Sequence, residues 1–105
     1  MKFVVIDTAV SGNTTLIAAV PNRKIRVVSY LITAHGPVDI YFSSNGTAAL
    51  TGLMPLTKHF SLFSGGGAQT PSGLTAQFET RSGESLVLNL AASVQTVGHL
   101  TYQVL

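Results

Sequence analysis

Val38-Asp39-Ile40-Tyr41-Phe42 places Val38, Ile40 and Phe42 on one face of an extended chain and Asp39 and Tyr41 on the other. Alternation of this kind marks a half-buried β-strand, because successive side chains leave a strand on opposite sides. The stretch is punctuated at both ends. His35-Gly36-Pro37 precedes it, and Ser44-Asn45-Gly46 follows with the strongest two-residue turn signal in the chain.

Working outward, the same period of two recurs. Leu86, Leu88 and Leu90 alternate with Val87, Asn89 and Ala91, and Leu100, Tyr102 and Val104 alternate with His99, Thr101 and Gln103. Clusters of Gly, Pro, Asn and Ser separate these runs, and no segment carries the period of a helix. The pattern predicts strands near 3–8, 14–20, 24–34, 38–43, 48–54, 59–63, 74–80, 85–91 and 98–104. Pro21-Asn22-Arg23-Lys24 is a turn, and Arg81-Ser82-Gly83-Glu84 is expected to close a hairpin between strands ending at Thr80 and starting at Ser85. The run from Lys24 to Ala34 is the longest and is apolar on both faces after Arg26, so it is expected to be central in a sheet or to face a second subunit. Ser64 to Gly73 is the one low-complexity stretch and is expected to be a mobile loop.

Eight or nine antiparallel strands in 105 residues make one domain, 1–105, and fit a two-sheet β-sandwich. Two strand orders are open, jelly roll and immunoglobulin-like. The second loses its usual support because the chain has no Cys and no Trp, and a jelly-roll-like sandwich is preferred. Residues 1–12 are either an N-terminal arm that adds to a neighbour's sheet or simply the first strand. Their apolar run is too short for a signal-peptide core or a membrane span. Asn13-Thr14-Thr15 and Asn45-Gly46-Thr47 match a glycosylation triplet but read as turn residues.

Charged residues make up only 10% of the chain against 46% hydrophobic, with a net charge of +2. Six cations are no nucleic-acid footprint, and Arg23, Lys24 and Arg26, the only basic cluster, read as a solvated turn. Without cysteine there is no thiolate site and no disulfide. His35, His59 and His99 lie 24 and 40 residues apart, with neither a metal-ligand spacing nor a G-x-S-x-G elbow. Glu79 and Glu84 flank a turn and are expected to face water, and Gly65 to Gly67 lack the Lys-Ser or Lys-Thr of a phosphate loop. The sequence therefore predicts no enzyme, no catalytic or metal-binding residue, no cofactor, and no nucleic-acid or membrane partner.

Twenty-two Ser and Thr residues beside ten full charges imply outer strand faces that are neutral and hydroxyl-bearing. Burying such a face costs far less than burying Lys or Glu, so a protein interface is expected. Phe3, Val5, Val28, Tyr30, Ile32 and Tyr41 are the candidate interface residues.

Three segments carry a resemblance. Leu16-Ile17-Ala18-Ala19-Val20 with Lys24 to Tyr30, the stretch from Phe78 to Leu90, and Gly98-His99-Leu100-Thr101-Tyr102 together resemble small β-sandwich virion proteins of tailed bacteriophages, over residues 11–105. The resemblance implies a capsid cement or decoration subunit that forms a homotrimer, contacts the major capsid protein or another virion protein, and resides on the capsid surface after synthesis in the host cytoplasm. Its motifs are structural, so no functional residue carries over. The alternative expectation is a tail- or fibre-associated receptor-binding module holding a glycan on an exposed aromatic, with Tyr30, Tyr41, Phe63 and Tyr102 as candidates and Tyr41 the best of them.

Overall fold

Every regular element in the computed structural model is a β-strand, among the residues it describes: 2–59, 61–64, 69–70, 73–74 and 77–105. The strands are β1 (Lys2–Thr8), β2 (Gly12–Ile17), β3 (Ile25–Ala34), β4 (Val38–Ser44), β5 (Ala48–Ala49), β6 (Met54–Leu56), β7 (Ser61–Ser64), β8 (Gln69–Thr70), β9 (Gly73–Leu74), β10 (Phe78–Glu79), β11 (Leu86–Leu90) and β12 (Thr96–Val104). The expected loop at 64–73 falls largely outside the described residues, and the expected strand at 74–80 is described at 74 and 77–80, with regular pairing to β3 at Phe78–Glu79.

Two antiparallel sheets face each other. One runs β1-β12-β3, with β7 and β10 following one another along the far side of β3. The other runs β2-β11-β4, with β5 and β6 along the far side of β4. β8 and β9 pair only with each other. Taking β5 with β6 and β7 with β10 as two interrupted strands leaves eight, arranged 1-8-3-6 and 2-7-4-5 in chain order, apart from the β8–β9 ribbon. That is a jelly roll.

Corners, not hairpins, make most of the connections. At Pro21 to Lys24 the Arg23 N–H donates to the Val20 carbonyl at 3.1 Å, and the chain passes from one sheet to the other. The turn at Arg81 to Glu84 does the same, which corrects the expected hairpin. Thr80 stays with β3, its N–H donating to the Ile25 carbonyl and its hydroxyl accepting the Ile25 N–H, while the Ser85 carbonyl accepts the Asn45 N–H beside β4. A residue pair cannot form a hairpin when its two strands belong to opposing sheets. Asn45-Gly46 forms the tight hairpin turn expected of it, with φ of 57° and 76° and a Thr47 N–H donated to the Ser44 carbonyl.

The core lies between the sheets. Val38, Ile40 and Phe42 of β4 and Leu86, Leu88 and Leu90 of β11 meet Ile6, Ile25, Val27, Ile32 and Leu100 from the other sheet, all buried. Phe42, Phe78 and Tyr30 form an aromatic cluster with ring centroids 5.0 to 6.2 Å apart.

Along β3 the pairing with β12 steps from Ser29↔Thr101 to Val27↔Tyr102 and leaves Val28 without a partner. This β-bulge shifts the side-chain phase by one residue. Ile25 and Val27 point inward before it, and Tyr30, Ile32 and Ala34 after it. Three interface expectations are thereby corrected: Ile32 is fully buried in the core, Tyr30 packs on Phe42 and donates its hydroxyl to Met54 Sδ, and Val28 is 3% exposed at the bulge. The apolar residue that β3 turns outward is Leu31. On β12 the residue paired with Ile32 is Gly98, which has φ of 153°, and a Cβ there would sit 1.9 Å from the Leu31 carbonyl oxygen, so the close approach of β12 to β3 requires glycine.

Candidate functional site

β1 begins with Lys-Phe-Val-Val-Ile-Asp, and its alternation sends Val4, Ile6 and Thr8 inward and Phe3, Val5 and Asp7 outward. It pairs with β12 of its own chain from Lys2↔Tyr102 to Thr8↔Thr96 without a bulge, so it is the first strand of the sheet and not a detached arm. Its outward residues start three cross-strand rows: Phe3-Thr101-Ser29, Val5-His99-Leu31 and Asp7-Val97-Thr33. Phe3 is 72% exposed and Val5 65%, while Leu31 and Val97 beside them are half-buried. Lys2 and Asp7 are the only charges on the strand, and Asp7 accepts a hydrogen bond from the Gln95 amide.

The four sheet edges differ in how they meet solvent. β2 carries a bulge at Leu16 and turns Asn13 and Thr15 outward. The β5–β6 edge is broken into two- and three-residue pieces and contains Pro55, and the β7–β10 edge is broken in the same manner. Short pieces, bulges and proline are the devices by which sheets avoid edge-to-edge pairing. β1 has none of them. Seven regular residues with an unpaired side, among the described residues, offer alternate N–H and C=O groups beside an apolar face.

A second feature lies on the outer face of the other sheet. Tyr41 and Ser43 of β4 line a cleft of about 300 Å³ with Thr47, Ala49, Thr51 and Leu53. The Thr47 hydroxyl donates to the Ser44 carbonyl, and Thr51 Oγ1 accepts the Phe42 N–H and donates to the Gly52 carbonyl. Ser43 is 1% exposed, and its hydroxyl is buried with no hydrogen-bond partner. An unpaired buried hydroxyl costs about 1–3 kcal/mol. Of the four aromatic candidates, Tyr30 and Tyr102 pack against the core, the side chain of Phe63 lies outside what is described, and Tyr41 lines the cleft.

Among the described residues, ion pairing centres on Glu79. Glu79 accepts Arg26 Nε at 3.0 Å and Lys24 Nζ at 3.4 Å, and the Arg26 hydrogen bond chiefly holds its carboxyl below the ordinary value. Glu84 accepts the Ser44 hydroxyl at 2.6 Å, and that oxygen in turn accepts the Arg81 N–H at 3.0 Å. Both acids are therefore bonded rather than free in water as the sequence suggested, and Lys24 and Arg26 share one carboxylate far along the chain. Burial raises the Tyr30 phenol above its usual range. His35 and His59, 24 residues apart, meet edge to face with centroids 5.7 Å apart, because the His59 N–H donates to the Ala34 carbonyl at the end of β3. Sequence spacing gave no sign of this pair. No group of three or more metal-ligating side chains assembles among the described residues. Comparison with protein-family models, with characterised protein sequences and with solved structures yields no match for this chain.

Proposed function

We propose that the chain is a structural assembly subunit, a capsid cement or decoration protein of a tailed phage that trimerises and seats on a protein shell. The unprotected β1 edge, with Phe3 and Val5 on its outer face, carries this reading. The free energy comes from covering that apolar face, a contribution available only when another polypeptide arrives, and in a three-fold ring the β1 face of each copy meets a different surface of the next. The few charges on the molecule favour the same use, since a neutral hydroxyl-bearing surface loses little on desolvation. A trimer then presents three copies of each remaining contact to a symmetry position of the shell, and modest contacts act together through effective concentration.

The site of action is tested by electron microscopy with a labelled antibody against the chain. Label on the outside of the head, and particles that lose resistance to heat when assembled without the protein, are the expected results. Label confined to the tail, or particles equally resistant without it, would overturn the decoration role.

A further inference from the structure

The cleft beside Tyr41 combines three properties that together define a ligand class. Among the described residues its lining includes no charge, so none of them balances a phosphate or a carboxylate. Tyr41, Ala49 and Leu53 supply apolar surface, and Leu53 is 63% exposed at its rim. Ser43, on the same face of β4 as Tyr41, holds a hydroxyl whose donor and acceptor capacities are both unused, while those of Thr47 and Thr51 bond the neighbouring backbone. A purely apolar occupant would leave Ser43 unsatisfied, and a charged one would lose its hydration without compensation.

We propose that this cleft binds a neutral saccharide, with the C–H face of a pyranose ring on Tyr41 and a ring hydroxyl hydrogen-bonded to Ser43. A volume of about 300 Å³ lies at the small end of ligand pockets and holds one or two sugar rings. The site is on the opposite sheet from β1, so it neither requires nor prevents assembly through that edge.

The test is an amide NMR titration of the full chain with the methyl glycosides of glucose, galactose and N-acetylglucosamine, their β-linked disaccharides, and glucuronic acid, all at millimolar concentration. Saturable shifts confined to residues 41–53 with at least one neutral sugar, and none with glucuronic acid, are expected. Tyr41→Ala should abolish them. Ser43→Ala should weaken binding about tenfold while the melting temperature holds or rises, since the wild-type hydroxyl makes no bond within the protein. Tighter binding of the disaccharides would assign the sugar to a polymer, and equal affinity to a free monosaccharide. Absence of saturable shifts with every neutral sugar, or shifts that persist in both variants, would overturn the proposal.

Discussion

Glu79 shows how a single residue couples distant parts of the chain. It sits opposite Arg26 across the β3–β10 pair and also meets Lys24 at the end of the corner that leads into β3. Its carboxyl is held below the value it has in the unfolded chain, mainly by the Arg26 hydrogen bond. The stabilisation is therefore present above the unfolded value and disappears as pH falls through the lower folded one. With 35% of its side chain still in water the pair is screened, and its worth stays below about 1 kcal/mol. Glu79→Gln should lower stability slightly at neutral pH and flatten the acid limb of the stability curve. Urea denaturation across the acid range measures both, and an unchanged acid limb would contradict the assignment. Neither the pairing nor the Ser44–Glu84 bond was legible in the sequence, because partners 53 and 40 residues apart are joined only by the sheet topology.

At the scale of elements, alternation revealed what has regular pleating and failed where pleating breaks. β4 and β11 turn inward the residues their pattern selects, Val38, Ile40 and Phe42 and the three leucines of 86 to 90. β3 does not, because the unpaired Val28 moves the phase by one and sends Ile32 inward and Leu31 outward. A run apolar on both sides contains no mark of where its bulge lies. Two substitutions separate the phases. Ile32→Asp buries an unpaired charge in a dry core and should leave the chain unfolded, whereas Leu31→Asp should change the stability of the isolated chain by about 1 kcal/mol or less. Thermal melts followed by circular dichroism would show one transition lost and the other kept; the reverse pattern would place the bulge elsewhere. The Arg81–Glu84 turn was misread for a related reason, since local turn chemistry is the same whether the chain doubles back or crosses to the opposing sheet.

For the whole molecule, strand count and sandwich class could be read from composition and period, but which strand ends a sheet could not. Edge position emerges only from the order β1-β12-β3 and β2-β11-β4. Once known, it separates three broken or bulged edges from one that is long, regular and apolar. The account rests on that edge being covered by another copy of the chain. Light scattering coupled to size exclusion tests it most directly, on the wild-type chain and on Phe3→Ser/Val5→Ser at the same concentrations. The wild type should elute with three times the 11.0 kDa chain mass and the double variant, still folded by circular dichroism, with the mass of one chain. A wild-type protein that remains at 11.0 kDa at every concentration, with Phe3 and Val5 left in water, would contradict it.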